Sequence, residues 1–270
     1  MDSTEKRTVL VTGATGGLGR RVAHELAEQG MSVLVHGRSR ERAQAAVREI
    51  SGATGNGSVQ YYLADLSSLA EVRKLAEEVR TGHNNLDVLV NNAGVISPER
   101  RESEDGIEFT FAVNYLSHFL LTRLLLPLLR NSSPARVVNV ASAGQSPIDF
   151  DDVMLERNYE PMRAYGQSKL AMIMDSLTLA GELEGSGVTV NVLHPATLMD
   201  TKMVRETFGS AMSSVEEGTE ATVYLATSPE LKGVSGRYFD GKSESRANGQ
   251  AYDSSAREQL ERLARELTGL

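Results

Sequence analysis

The sequence predicts an α/β fold, a doubly wound and mainly parallel sheet of about seven strands with helices on both faces. Three observations carry that expectation. Short β-rich runs alternate with longer helical patterns along the chain. The first six runs are apolar on both faces, as strands covered from both sides must be. The first run also opens into a glycine-rich turn with a helix behind it.

Taken in order, residues 8–12 form the first strand and residues 18–29 the helix that follows. Strands at 32–36, 59–64, 88–91, 136–141, 189–194 and 236–239 come next. Between them the apolar spacing predicts helices over 40–51, 69–81, 106–130, 163–184 and 214–227. Three stretches break the rhythm. Residues 51–58 are rich in Gly, Ser and Asn and read as a surface loop, and residues 146–160 read as an acidic insertion that either adds specificity or lies on the surface. Residues 197–213, rich in Met, Thr and Ser, follow a strand and so stand at the carboxyl edge of the sheet, where ligands bind in this architecture. They are expected to form a substrate loop that closes over its ligand, with Gly209 as a hinge. A charged amphipathic helix fills 256–270, and the expectation for 1–270 is one domain.

Composition excludes several function classes. There is no cysteine among the 270 residues, which removes disulfide frameworks, thiolate metal sites and a cysteine nucleophile. The 28 basic and 36 acidic residues leave a net charge of −8, which argues against nucleic-acid or anionic-membrane partners. Residues 1–7 lack the apolar stretch of a signal peptide. The apolar run at 119–129 is broken by Arg123 and reads as too short for a membrane span, so a cytoplasmic location is expected.

The turn Thr12-Gly13-Ala14-Thr15-Gly16-Gly17-Leu18-Gly19 joins strand to helix. A pyrophosphate needs close backbone approach, free amides and the positive end of a helix, and such a turn supplies all three. A glycine-rich turn without a ligand looks the same. No Gly-Lys-Ser/Thr follows, so a Walker-type loop is excluded. After the second strand, Gly37 stands where binders of unphosphorylated dinucleotides carry an acid, and Arg38 supplies a cation suited to a 2′-phosphate, unless it is a solvated loop charge. Arg40 and Arg42 either assist Arg38 there or, as expected for both, lie on the helix surface. Asp65 and Leu66 end the third strand, where the acid either accepts an adenine amino group or caps a helix. Asn91-Asn92-Ala93-Gly94 ends the fourth, with small residues that admit a ribose or simply make a turn.

Tyr165 and Lys169 lie four apart on a predicted helix and share a face. An adjacent ammonium and a positively charged nicotinamide favour phenolate, and moving its pKa by about three units takes about 4 kcal/mol. Tyr and Lys four apart also occur on ordinary helix faces. Ser142 ends the fifth strand at the same sheet edge, as a donor to a substrate oxygen or as a helix cap. Asn114 is an amide inside an apolar helix, which needs partners: a structural network or a relay water.

In this order the motifs resemble the short-chain dehydrogenase/reductase family, a Rossmann-type fold. The resemblance runs from the first strand to Thr201 and rests on Thr12–Gly19, Asn91–Gly94, Asn114, Ser142, the Tyr165/Lys169 pair and Pro195. It implies an NADP(H)-dependent oxidoreductase acting on a carbonyl or secondary alcohol, with ketone reduction on a small or natural-product-like substrate expected. Tyr165 would be the general acid or base, Lys169 the ribose contact, Ser142 the substrate-oxygen contact and Asn114 the support of a water relay. Thr12, Gly13, Thr15, Gly16, Gly17, Leu18 and Gly19 would line the pyrophosphate, and Arg38 the 2′-phosphate. Asp65, Leu66, Asn92, Ala93 and Gly94 would flank the adenosine and ribose, and Pro195, Thr197 and Leu198 the nicotinamide amide. No metal is implied. Two departures stand out. The family's Pro-Gly-xxx-Thr element reads Pro195-Ala196-Thr197-Leu198-Met199-Asp200-Thr201, so Thr197 is a candidate for the hydroxyl role. The long gap between Ser142 and Tyr165, with Ile148-Asp149-Phe150-Asp151-Asp152, is similar to the retinol-dehydrogenase-like and WW-domain-oxidoreductase-like branch. The alternatives are a non-redox dehydratase, cyclase or isomerase, and a cofactor-sensing module. Gly144, Gln145, Tyr159, Leu198 and Phe208 are expected to wall the substrate pocket. Helices 106–130 and 163–184 form the dimer face in many relatives, so a homodimer or homotetramer is possible, with His118 and Phe119 there or in a monomer's core.

Overall fold

The computed structural model describes residues 6–270. Strands β1 (Thr8–Val11), β2 (Ser32–Gly37), β3 (Val59–Leu63), β4 (Val88–Asn91), β5 (Ala135–Val140), β6 (Val188–His194) and β7 (Arg237–Asp240) are parallel, and β8 (Ser243–Ser245) pairs antiparallel with β7. The sheet order is β3-β2-β1-β4-β5-β6-β7-β8. No pattern in the sequence marks the eighth strand, whose exposed Ser-Glu-Ser carries no apolar alternation.

The order reverses between β1 and β4, so the loops leaving these two strands part at the carboxyl edge and open a crevice. Helices α1 (Gly17–Glu28), α2 (Arg40–Thr54), α3 (Leu69–Gly82), α4 (Phe109–Asn131), α5 (Pro161–Glu182), α6 (Lys202–Phe208), α7 (Val215–Thr227) and α8 (Ser254–Thr268) cover the sheet and its edge. Two apolar clusters fill the two faces, one around Leu10, Leu89, Phe119 and Ile173, the other around Val9, Val33, Val90 and Leu193. Alternation along each strand sends neighbouring residues to opposite clusters.

Local signals explain most helix limits. Ser39, Ser68, Ser214 and Asp253 accept backbone amides at the starts of α2, α3, α7 and α8, and Pro161 opens α5. Helix α2 runs to Thr54 and stops at Gly55, whose φ is +68°, so the first residues of the expected 51–58 loop are helical. Helix α4 starts at Phe109, where Glu108 accepts the amides of Thr110 and Phe111, and contains a π-helical turn over Ala112–Leu116. At 23 residues α4 is long and apolar enough to cross a bilayer, contrary to the expectation, but 78% of its most apolar window is buried in the fold. Phe119 and His118 are both buried, and Phe119 belongs to the core. Arg123 of α4 reaches Asp175 of α5 at 2.7 Å, and α8 packs against α5 through a face that buries Leu260 and Ala264.

The 146–160 insertion is neither free surface nor cleft wall. Ile148, Val153 and Leu155 are buried, and its backbone is tied to the C-terminal segment through Gln250. The 197–213 segment is not irregular throughout: Thr201 caps α6 through the Val204 amide, and Gly209 (φ +78°) ends it as a left-handed cap. Every residue of α6 is at least partly exposed.

Candidate active site

A cleft of about 850 Å³ runs along the crevice from the glycine turn to α6. Gly13, Thr15, Gly16, Gly17, Leu18 and Gly19 line one end. Glycine is required at several of these positions. Gly13 has φ +67° and lies so close to β4 that a Cβ would come within 3.0 Å of Ala93 Cα. At Gly19 a Cβ would collide with the Gly13 carbonyl and Asn92 Nδ2. With backbone alone at these points and the first turn of α1 behind it, the cradle fits a pyrophosphate.

Thr12 is fully buried beneath the turn rather than in the cleft wall. Its hydroxyl accepts the amides of Asn92 at 2.8 Å and Ala93 at 3.0 Å, and its carbonyl accepts Asn92 Nδ2 at 2.8 Å. Thr12 thereby holds the β1 and β4 loops together. The same work is done deeper down by Asn91, which donates to Asn139 Oδ1 at 2.7 Å and Thr122 Oγ1 at 2.9 Å.

At the far end of the turn stand Gly37, Arg38, Ser39, Asp65 and Leu66, all lining the cleft. A Cβ on Gly37 would overlap Thr15 Cγ2, so packing demands glycine there independently of any charge argument. Arg38 is largely solvated and leans 3.7 Å from Asp65. Burial pushes the Asp65 carboxyl up, but hydrogen bonds from Ser67 and the nearby Arg38 outweigh it and hold the group below the usual range. Arg42 is exposed on the helix surface, as expected, and also lines the cleft, its Nη2 3.1 Å from the site of a Gly16 Cβ. The signal was available: Ser39 caps α2, which puts residue 42 in the first helical turn beside the glycine loop. Arg40 instead donates to Tyr61 on the sheet edge.

Asn92, Ala93 and Gly94 line the middle of the cleft. Behind Gly94 sit Lys169 Nζ and Asn114 Oδ1, 3.4 and 3.5 Å from where a Cβ would be. Lys169 donates to the Val140 carbonyl at 2.8 Å, and burial pushes its ammonium down to about 8. Asn114 is fully buried and does not line the cleft. Its side chain exchanges two hydrogen bonds with the Val95 backbone and donates to Ser168 Oγ at 3.0 Å, so its amide is committed to structure. The π-helical turn that carries it is a device found frequently at functional sites.

Ser142, Tyr165 and Lys169 all face the cleft opposite the glycine turn. Ser142 Oγ accepts the Gly144 amide at 3.0 Å, so its own proton is the one it gives to the Tyr165 oxygen or to a substrate oxygen. Lys169 Nζ lies 5.7 Å from the Tyr165 ring centre. Burial raises the Tyr165 pKa, and a hydrogen bond with Ser142 only partly offsets it. Tyr165 is therefore protonated at neutral pH, an acid ready to donate.

Pro195, Ala196, Thr197 and Leu198 line the cleft, and Leu198 has φ +45°, a left-handed conformation that is strained for a branched residue. The Thr197 hydroxyl pairs with His194 at 3.1 Å, while Thr201 packs against Gly17. Of the expected pocket walls, Gly144, Leu198 and Phe208 line the cleft. Gln145 and Tyr159 do not. Gln145 spans from the Ser142 carbonyl to the Asn248 amide, and Tyr159 donates to the Ser97 carbonyl. Tyr238 adds a second donor to the Ser142 carbonyl at 3.3 Å, a contact across 96 residues that no local pattern signals.

A family model described as short chain dehydrogenase matches residues 7–211. The chain belongs to the short-chain dehydrogenase family. Human retinol dehydrogenase 13 is 39% identical over 282 residues, covering 98% of this chain and 85% of the relative. Human polyprenol dehydrogenase is 36% identical, covering 98% and 86%. Among solved structures, the Pseudomonas aeruginosa RhlG/NADP active-site complex is 31% identical, with a TM-score of 0.72 over 88% of this chain and 95% of that one. Within the family, this chain is thus a near relative of the retinol- and polyprenol-dehydrogenase branch, and the match covers both the glycine turn and the Tyr165/Lys169 helix.

Proposed function

We propose that the chain is an NADP(H)-dependent dehydrogenase/reductase that moves hydride to or from an apolar carbonyl or secondary alcohol. The observation that carries it is the convergence of Ser142, Tyr165 and Lys169 on one cleft whose other end is a side-chain-free phosphate cradle. The cradle, the two cations Arg38 and Arg42, and the small residues Ala93 and Gly94 fit the cofactor that the related RhlG structure holds. A bound NADP(H) supplies or accepts the hydride.

The chain's own groups handle the proton and the orientation. Ser142 donates to the substrate oxygen, where negative charge develops in reduction. Tyr165 gives its phenolic proton to that oxygen, or takes it back from the alcohol in the reverse direction. Lys169, held by Val140 beneath Gly94, contacts the ribose and places positive charge near the phenol. The cleft is also lined by Val95, Ile96, Met162, Leu198, Met203 and Phe208, a mainly apolar stretch with Lys202 beside it on α6. An apolar body with one polar end is the substrate class this wall fits. The retinol and polyprenol substrates named for the relatives belong to that class.

An NADPH-oxidation screen over apolar ketones and aldehydes tests the reading, run beside Tyr165→Phe. The unmodified protein is expected to oxidise NADPH with at least one of them, and the variant to bind NADPH without turnover. Substrate conversion with no change in NADPH would favour a non-redox reaction instead.

A further inference from the structure

His118 is fully enclosed behind the cleft, and the chemistry above gives it no task. It stands one helical turn after Asn114 on α4, and its ring Nδ1 lies 3.2 Å from the Asn114 carbonyl. Its Nε2 lies 3.1 Å from Thr12 Oγ1. A carbonyl only accepts, so Nδ1 carries the proton and Nε2 is bare. The Thr12 hydroxyl already accepts two amides, from Asn92 and Ala93, and its own proton has two acceptors in reach, the Val90 carbonyl at 3.4 Å and the nearer Nε2 at 3.1 Å. With Nε2 the nearer of the two acceptors, Thr12 gives to His118, and His118 gives to the Asn114 carbonyl. Separately, the Asn114 side-chain amide donates to Ser168 Oγ at 3.0 Å, and Ser168 Oγ donates to the Tyr165 carbonyl at 2.7 Å, so the backbone that His118 holds also carries the brace of the Tyr165 helix.

We propose that His118 is a positioning residue for hydride transfer: it ties the glycine turn at Thr12 to the π-helical turn at Asn114, and so fixes the distance between the nucleotide cradle and the helix that carries Tyr165. The inference rests on the proposed oxidoreductase function. An imidazole suits the position because it offers one donor and one acceptor in a rigid ring spanning two elements. Burial holds it at about 3, well below its ordinary range, so it is neutral wherever the enzyme is folded and active.

The two ends are separable by substitution. An asparagine amide reaches as far as ring Nδ1, and a glutamine amide as far as ring Nε2. His118→Asn keeps the bond to Asn114 and drops the bond to Thr12, while His118→Gln does the reverse. Leaving a buried hydrogen-bonding group unpaired lowers the affected constant by about five- to 150-fold. His118→Asn is expected to weaken NADPH binding by about tenfold with kcat within about threefold of the unmodified protein. His118→Gln is expected to keep NADPH affinity and lower kcat by about tenfold. His118→Phe, which fills the space and makes neither bond, should show both losses.

NADPH affinity is read by fluorescence titration without turnover, and amide exchange at Ala93 and Val95 reports the two ends directly. Equal losses of Tm in all three variants, with affinity, kcat and exchange unchanged, would reduce His118 to a space-filling role and overturn the proposal. So would losses of affinity and kcat that move together in the Asn and Gln variants. If the unmodified protein turned over no carbonyl, the oxidoreductase reading would fail by itself, and the affinity and exchange split would still decide whether His118 couples the two turns.

Discussion

Replacing Gly37 by aspartate should do more than alter charge, and the structure gives the size of the effect. An acid at the end of β2 suits ribose hydroxyls and repels a 2′-phosphate, so on charge alone Gly37→Asp would turn preference from NADPH toward NADH. The new Cβ, however, would overlap Thr15 Cγ2 and lie 3.3 Å from Thr15 Oγ1. Thr15 is β-branched and has few rotamers to retreat into. Overpacking of this kind costs about 1–3 kcal/mol, or about five- to 150-fold in affinity if the glycine turn absorbs it all. The single variant is therefore expected to lose affinity for both nucleotides. Thr15→Ser removes the offending methyl and leaves contacts a neighbour can yield to, so Gly37→Asp with Thr15→Ser should recover NADH binding while NADPH stays weak. Parallel fluorescence titrations of NADPH and NADH against the unmodified protein, both single variants and the pair supply the test. Equal NADH affinity in the Gly37→Asp single and the double variant would refute the steric argument. A double variant that still preferred NADPH would show that Arg38 and Arg42 outweigh the carboxylate.

Three further outcomes are expected. Burial holds His36 at about 4 and His118 at about 3, both depressed from 6.5, so the unfolded chain binds more protons than the folded one just below pH 6.5. Stability from these two residues is complete above pH 6.5 and falls as the pH drops toward 4, at up to about 3 kcal/mol per pH unit together; urea unfolding between pH 7 and 4.5 that showed no such slope would contradict their burial as neutral rings. Gln250→Leu removes both hydrogen bonds to Ile148, on the loop that leaves Ser142, and is expected to lower kcat by about threefold to tenfold with NADPH affinity unchanged, checked by steady-state kinetics and amide exchange at Ile148. Arg123→Met strands the buried Asp175 carboxylate between α4 and α5 and should destabilise the fold by about 3–5 kcal/mol, read as a shift in the urea midpoint, while Asp175→Asn with Arg123→Met recovers part of the loss.

The fold was legible because its cues are local and periodic. Apolar runs such as Val9–Val11 and Val88–Val90 read as strands buried on both faces, and serine caps at 39, 68 and 214 mark where helices begin. Cues failed where a segment has no period or where a short element hides inside a polar stretch. The Ser-Glu-Ser of β8 and the exposed helix α6 are of this kind. The insertion at 146–160 looked apolar-poor, yet three residues, Ile148, Val153 and Leu155, suffice to anchor it in the core.

For the site, sequence by itself determined which groups share a local frame. Helical spacing puts Tyr165 and Lys169 on one face, and strand ends put the glycine turn, Asn92–Gly94 and Ser142 at one sheet edge, because backbone geometry alone fixes these relations. The tertiary structure decided everything that depends on distant segments meeting. It withdrew the Asn114 amide into bonds with Val95 and Ser168, turned Arg42 toward Gly16, moved Gln145 from the pocket wall to a brace under Ser142, and buried the Tyr165 phenol, which raises its pKa. Hydrogen-bond partners and desolvation are set by what packs against a group from other elements, and no pattern along a single segment encodes that.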